Sequence, residues 1–103
     1  MGLLDERANL QGKVAVVIGG AAGLGAAVST ALAGAGVDVA FSDIKADAVQ
    51  ATRAAVEKMG RRALAKVANA IEPAQLHSFY QAVAAQFDRL DIVVNVVGGV
   101  TRR

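Results

Sequence analysis

The feature that most constrains this chain is a β-branched run that ends in a cluster of glycines. Val14–Ile18 is a continuous apolar run, which is typical of a strand buried on both faces of a parallel sheet. Four glycines follow within the seven residues 19–25, and an apolar helical repeat begins at Leu24. The pattern predicts a strand, a tight turn and a helix in direct succession.

The same succession recurs along the chain. Further strands are predicted at 37–41 (closed by Ser42 and Asp43), 63–68 and 91–97. The predicted helices run from Leu24 to the glycines at 34 and 36, over 45–59, and from Pro73 onward. On the first helix, apolar residues repeat at helical spacing at Leu24, Val28, Ala31, Leu32 and Ala35. The second has Val49, Thr52, Val56 and Met59 on one side, and the third has an apolar stripe of Leu76, Phe79, Tyr80, Val83 and Phe87.

The order βαβαβαβ predicts an α/β fold with a three-layer, doubly wound parallel sheet. In such a sheet the spatial order is 3-2-1-4, so the fourth strand pairs with the first. We therefore expect residues 1–103 to form a single, partial dinucleotide-binding domain of the Rossmann type, cut after its fourth strand.

Composition excludes several classes of protein. The chain has 103 residues, no cysteine and one histidine, which allows one domain and argues against disulfides, a thiolate nucleophile and a zinc site. Arg102 and Arg103 account for the net charge of +2, so no basic face for nucleic acid is indicated. Residues 14–37 are uncharged, but six glycines interrupt them, and no signal-peptide pattern begins the chain. We expect a cytoplasmic protein with no membrane or nucleic-acid partner.

The glycine turn has the properties of a diphosphate site. A backbone that turns sharply and lets a diphosphate approach the start of a helix needs residues without a side chain. We expect Gly19 to supply the turn, Gly23 to let the main chain come close to phosphate, and Gly25 to let the helix pack near the sheet. The alternative is a tight turn between strand and helix that binds nothing.

Asp43 closes the second predicted strand, 18 residues after Gly25. A carboxylate at this point accepts hydrogen bonds from the adenosine ribose and repels a 2′-phosphate, which favours NAD over NADP. Lys45 lies close by and softens this discrimination. The alternative is that Asp43 caps the following helix.

Together these segments resemble the short-chain dehydrogenase/reductase family. IGGAAGLG is similar to the family's T-G-x-x-x-G-x-G turn, GKVAVVIGG to its first strand, FSDI to the NAD-type end of its second strand, and FDRLDIVVNVVGG to its F-G-x-L-D-[IV]-L-V-N-N-A-G. The resemblance extends from Leu10 to Val100. It implies a homo-oligomeric, NAD-dependent oxidoreductase, with NADP less favoured, that moves a hydride between nicotinamide and a small alcohol or carbonyl substrate.

The resemblance also implies which residues bind the cofactor. They lie in the turn and at the ends of the strands: Gly19, Ala22, Gly23, Leu24, Gly25, Asp43, Ile44, Asn69, Ala70, Asn95 and Gly98. Several positions depart from the family: Ile18 replaces Thr and Val96 replaces the second Asn, which weakens polar tethering between strands one and four, and Ala22 replaces a frequent Ser. Asn69 replaces an Asp that meets the adenine amino group, and its side-chain oxygen can still accept that bond.

The family's acid/base chemistry uses a Tyr-x-x-x-Lys pair and an upstream Ser. Tyr80 is the one tyrosine here, and Ala84 stands where the Lys would be. We therefore interpret Tyr80 as a core aromatic and His77 as a surface residue. The resemblance implies that the catalytic residues lie beyond Arg103, that none lies in this chain, and that the 103 residues alone are inactive.

Two other functions remain open on the sequence. One is a free-standing, non-catalytic nucleotide-binding module. The reading frame separates it from the dehydrogenase, because only a dehydrogenase is expected to continue into a Ser and a Tyr-x-x-x-Lys. The other is an S-adenosylmethionine methyltransferase, which shares the βαβ start and an acid after strand two. The spacing of Gly19, Gly23 and Gly25 argues against the methyltransferase.

Overall fold

A computed structural model describes residues 10–96, and within them a four-stranded parallel sheet is combined with three helices. The strands are β1 (Val14–Ile18), β2 (Asp38–Asp43), β3 (Ala63–Val67) and β4 (Ile92–Asn95), and the helices are α1 (Gly23–Gly34), α2 (Ala46–Lys58) and α3 (Pro73–Gln86). The sheet order is β3-β2-β1-β4. The predicted α/β, doubly wound topology is confirmed, with β1 between β2 and β4.

The strand β1 is fully buried because helices cover both of its faces. Ala15 and Val17 face a core that includes Val49 and Val56 of α2, with α1 packed beside them. The alternate residues of β1 face a second core on the α3 side, made of Val14, Val16, Ile18, Ala40, Phe79, Val83 and Phe87. The three-layer architecture predicted from the order of elements follows from these two cores.

The buried face of α1 coincides only in part with its apolar repeat. The buried residues of this helix are Gly25, Ser29 and Ala33, whereas Leu24 is 69% exposed and Ala31 is also exposed. Small residues let the helix axis come close to the sheet, so α1 turns its smallest face inward rather than its most apolar one. Val28, Leu32 and Ala35 are half-buried, and the first two pack against the edge of the core.

The helices α2 and α3 bury the faces that the sequence predicts, with one exception. Val49, Thr52 and Val56 are buried on α2, but Met59, which lies just after the helix, is 48% exposed. On the α3 side, Phe79, Val83 and Phe87 are buried, and Leu76 and Tyr80 pack half-buried beside them. His77 is exposed, as predicted.

The predicted fourth strand is too long at its start. It begins at Ile92 rather than at residue 91, because the amide of Val14 in β1 donates to the side chain of Asp91, at Oδ2 over 2.9 Å, and not to a backbone carbonyl. Arg89 in turn binds both carboxylate oxygens of Asp91 at 2.8 Å. The predicted end of this strand, at residue 97, lies outside the described residues.

A buried carboxylate fastens the amino-terminal ends of β2 and β3. Asp38, 4% exposed, forms ion pairs with Arg61 Nη2 at 2.9 Å and Arg62 Nη2 at 3.0 Å, and it accepts hydrogen bonds from the amide and Nε of Arg62. Burial by itself raises the pKa of Asp38, but the hydrogen bonds from Arg62 and the charges of Arg61 and Arg62 outweigh it, so the pKa lies below its ordinary value. The Arg62 guanidinium also lies 4.7 Å from the centre of the Phe87 ring.

Candidate functional site

A cleft of about 470 Å³ lies at the carboxyl ends of the parallel strands. Open parallel sheets bind ligands at this edge. The segments that follow β1, β2, β3 and β4 each contribute to its lining, which consists of Gly19, Ala22, Ser42, Asp43, Ile44, Lys45, Ala68, Asn69, Ala70, Ile71 and Val96. Six of the predicted cofactor residues therefore meet in one cleft: Gly19, Ala22, Asp43, Ile44, Asn69 and Ala70.

The glycine turn is fastened to the end of β2. The amides of Gly19 and Gly20 both donate to the carbonyl of Ser42, at 2.8 and 3.0 Å. Gly19 has a φ of +82°, which only glycine adopts readily, and so it makes the sharp turn that its position predicts. A Cβ on Gly25 would overlap the carbonyl oxygen of Gly19, which explains why α1 can begin so close to the strand.

The start of α1 is open towards a ligand. Gly23 has a φ of +54°, and a Cβ built on it would meet nothing within 4 Å. The N-cap residue is Ala22, and it makes no side-chain capping hydrogen bond to the helix. An uncapped helix start beside a turn made only of glycines and alanines fits an anionic group such as a diphosphate.

Two buried hydroxyl groups hold the turn from the helices behind it. Ser29 of α1 donates its Oγ hydrogen to the carbonyl of Gly20 at 2.9 Å, and Thr52 of α2 donates to the carbonyl of Ala21 at 2.9 Å. Ser29 and Thr52 are 0% and 5% exposed. The backbone between the turn and α1 is therefore fixed by side-chain donors as well as by the sheet.

The carboxylate of Asp43 bridges the turn and the segment that leads into α2. Its Oδ2 accepts from the amide of Ala21 at 3.2 Å, and its Oδ1 accepts from the amides of Ile44 and Lys45 at 2.8 and 3.3 Å. The N-cap of α2 is Lys45, and no side chain caps that helix. The alternative that Asp43 acts as a helix cap is therefore wrong.

The remaining predicted site residues do not line this cleft. Leu24 points to solvent, Gly25 is buried under the turn, and Gly23 is exposed at the start of α1. Asn95 is the last residue of β4 and is paired in register with Ile18. Gly98 lies outside the described residues. Although Ile18 and Val96 replace polar family residues, the amide of Val96 still donates to the Ile18 carbonyl at 2.9 Å.

Asn69 lines the cleft just after β3, and its side-chain oxygen already accepts a hydrogen bond from the backbone. Its side-chain Oδ1 accepts from the backbone amide of Ile71 at 3.1 Å, which stabilises the turn after β3. Its backbone amide donates to Gln75 Oε1 at 2.8 Å. A carbonyl oxygen has two acceptor positions, so one remains on Oδ1. Ile71 itself, 76% exposed, was not among the predicted residues, because a single exposed apolar residue in a loop carries no signal of its own in the sequence.

The residues considered for catalysis lie elsewhere. Tyr80 lines a separate hollow beside the end of α3, with Val83, Phe87 and Leu90, and does not reach the cleft. Among residues 10–96, no three acidic or histidine side chains are grouped so that they could hold a metal ion. No helix in that part of the chain is both long and apolar enough to cross a bilayer.

Comparison with known proteins identifies the family. The sequence model of the short chain dehydrogenase family matches residues 13–103. The chain belongs to this family. An uncharacterized oxidoreductase of Mycobacterium tuberculosis is 45% identical to this short-chain dehydrogenase over 93 residues, covering 87% of the chain and 34% of that relative. D-threitol dehydrogenase of Mycolicibacterium smegmatis is 37% identical over 97 residues, covering 92% of the chain and 36% of that relative.

Solved structures of short-chain dehydrogenases share the fold. One from Serratia marcescens has a TM-score of 0.79 and 41% identity, covering 84% of the chain and 36% of that structure. An NAD⁺-bound xylitol dehydrogenase has a TM-score of 0.78 and 25% identity, and the match covers 82% of this chain and 32% of that structure. The chain spans about a third of the length of the curated relatives it matches. Membership of the short-chain dehydrogenases excludes the methyltransferase hypothesis.

Proposed function

We propose that the cleft binds NAD in preference to NADP, with the adenosine ribose at Asp43 and the diphosphate at the start of α1. The observation that carries this proposal is the position of the Asp43 carboxylate, which lines the cleft and is hydrogen-bonded to the glycine turn at Ala21. A carboxylate accepts hydrogen bonds from ribose hydroxyls and repels a phosphate in their place. Lys45 lines the same cleft, and its charge reduces that repulsion.

Two exposed apolar side chains that line the cleft support an adenine site next to the ribose. Ile44 is 65% exposed and Ile71 is 76% exposed, and both line the cleft. A flat aromatic base packed against them would remove large apolar side chains from water. Asn69 lies beside Ile71 and keeps one acceptor position for an amino group.

For the whole protein we propose an oxidoreductase that converts a small alcohol to a carbonyl compound, or the reverse. The dinucleotide, when bound, supplies a nicotinamide that accepts or donates a hydride. This chain contributes the binding and orientation of the dinucleotide, and the acid/base groups are placed outside these 103 residues. Relatives named D-threitol dehydrogenase and xylitol dehydrogenase support an alcohol substrate. We also propose a cytoplasmic homo-oligomer, which the family resemblance supports.

Titration of NAD and NADP into the natural full-length protein and into Asp43→Ala tests the cofactor proposal. We expect the wild type to favour NAD by about 1–3 kcal/mol, the scale of charge-assisted hydrogen bonds, and the variant to lose most of that preference. Asp47→Ala is the matched control, because it removes an equal charge from an exposed site outside the cleft. Equal affinities of the wild type for the two dinucleotides would contradict the proposal.

A further inference from the structure

We propose that Ser29 is a positioning residue for the carboxylate of Asp43, and that it thereby helps to set the preference between NAD and NADP. The inference rests on the proposed function, because it concerns how the same cleft distinguishes the two dinucleotides. Ser29 lies on the buried face of α1 and does not line the cleft. Its effect on cofactor choice must therefore pass through the backbone that it holds.

Ser29 and Asp43 hold opposite sides of one peptide unit. The Ser29 hydroxyl donates to the carbonyl of Gly20 at 2.9 Å, and the amide of Ala21 donates to Asp43 Oδ2 at 3.2 Å. The carbonyl of Gly20 and the amide of Ala21 belong to the same peptide bond, and a trans peptide is planar with these two groups pointing in opposite directions. The hydroxyl that fixes the carbonyl therefore also aims the amide at the carboxylate.

The amide of Ala21 determines where Asp43 can accept a further hydrogen bond. An ionised carboxylate offers about four acceptor positions. Three are taken in this structure: two on Oδ1, by the amides of Ile44 and Lys45, and one on Oδ2, by the amide of Ala21. The remaining position is on Oδ2, the oxygen that Ala21 orients, so the direction offered to a ribose hydroxyl depends on the peptide unit that Ser29 holds.

Removing the Ser29 hydroxyl releases this arrangement. The Gly20 carbonyl would lose its buried donor, and burial of an unpaired carbonyl is unfavourable, so rotation of the peptide towards another donor or towards water becomes competitive. That rotation moves the Ala21 amide away from Asp43. The amides of Ile44 and Lys45 still hold Oδ1, but without the Ala21 amide Oδ2 can turn away from the direction that it offers to a ribose hydroxyl, which weakens NAD binding and relieves the repulsion of a 2′-phosphate.

Thr52 provides a matched control for a general loosening of the turn. Its hydroxyl is also buried and also donates over 2.9 Å, but to the carbonyl of Ala21, which belongs to the next peptide unit. Loss of that bond disturbs the turn without removing the donor on the peptide that faces Asp43. A merely structural role of Ser29 would change NAD and NADP affinity together, as we expect for Thr52→Val.

The test is the ratio of the dissociation constants for NADP and NAD, measured on the natural full-length protein and its variants. We expect Ser29→Ala to lower this ratio about threefold to tenfold, the effect of one neutral hydrogen bond, and Thr52→Val to leave it within about twofold of the wild type. Ser29→Cys fills the same space with a weak donor, so we expect its ratio to fall as well. It also serves as the test variant if Ser29→Ala does not fold.

Two outcomes would overturn the inference while leaving the proposed function intact. One is an unchanged ratio in Ser29→Ala or Ser29→Cys in a protein whose wild type prefers NAD. The other is an equal fall in Thr52→Val, which would mean that any loosening of the turn has this effect. A wild type with no preference for NAD overturns the proposed cofactor choice and this inference with it, and the wild-type titrations alone reveal that result.

Discussion

Two glycines of one turn serve different physical needs. Gly23 adopts a φ of +54° and faces open space, so a side chain there would strain the backbone without meeting any neighbouring atom. At Gly25 no positive φ is involved, but a Cβ would occupy the position of the Gly19 carbonyl. The first glycine allows a positive φ at the exposed start of α1, and the second keeps α1 close to β1.

Gly25→Ala should therefore destabilise the fold itself. We expect a loss of about 1–3 kcal/mol in the free energy of unfolding, or more, because rigid backbone rather than a flexible side chain lies in the way. Gly34→Ala is the control, since a Cβ there meets nothing within 4 Å and the residue is helical. The free energy of unfolding of Gly34→Ala should rise by about 0.4–1 kcal/mol. Denaturant unfolding of the full-length protein measures both, and a Gly25→Ala protein of wild-type stability would contradict the packing.

At the scale of elements, the strands and their order follow from the sequence, but one helix face does not. The β-branched run of β1 and the short crossovers leave few other topologies. On α1, hydropathy favours Leu24 over Ser29, yet the close approach permitted by Gly25 makes size decisive. Contacts such as Ser29 to Gly20 and Asp38 to Arg62 join polar groups between separate elements and leave no periodic trace in the sequence.

The junction of β2 and β3 makes stability depend on pH through Asp38. Its pKa is lowered in the folded chain relative to the ordinary value of 3.8. The stabilisation is therefore fully present above that value and is lost as the pH falls below it towards the folded pKa. We expect Asp38→Asn to cost about 1–3 kcal/mol near neutral pH, the scale of hydrogen bonds to charged groups, and this difference from the wild type should shrink below about pH 4.

Chemical unfolding of the full-length wild type and of Asp38→Asn at pH 7 and at pH 3.5 measures this dependence. Asp47→Asn, which removes an exposed acid at the start of α2, controls for net charge and should change stability by less than about 1 kcal/mol. A difference between wild type and Asp38→Asn that is the same at both pH values would show that the ion pairs contribute nothing to the pH dependence.

At the scale of the molecule, the described sheet has two unlike edges. β3 carries Lys66, a charge of the kind that discourages pairing with another chain, whereas the four residues of β4 are uncharged. Val93 on β4 is 55% exposed although it lies opposite Val16, which is fully buried. Within residues 10–96, β4 is the edge that invites a further strand.

We expect a polypeptide of these 103 residues to self-associate through β4. Light scattering at tens of micromolar should give a mass above that of one chain, and Val93→Lys should lower it, because a charge at an exposed edge opposes strand pairing. Val67→Lys on β3, where the side chain is also 55% exposed, is the matched control and should have little effect. A monodisperse wild-type monomer with a cooperative melting transition would refute this expectation.

The central position of β1 also has a consequence during synthesis. Val14 pairs in register with Asp38 of β2, whereas Ala15 pairs with Ile92 of β4, which lies 77 residues further along the chain. At about 5–20 residues per second, translation needs about 4–15 seconds to cover that separation. Until Ile92 has been translated, the most apolar strand of the nascent chain has at least one unpaired edge, so we expect β1 to be the strand that is open to pairing with another chain for the longest time.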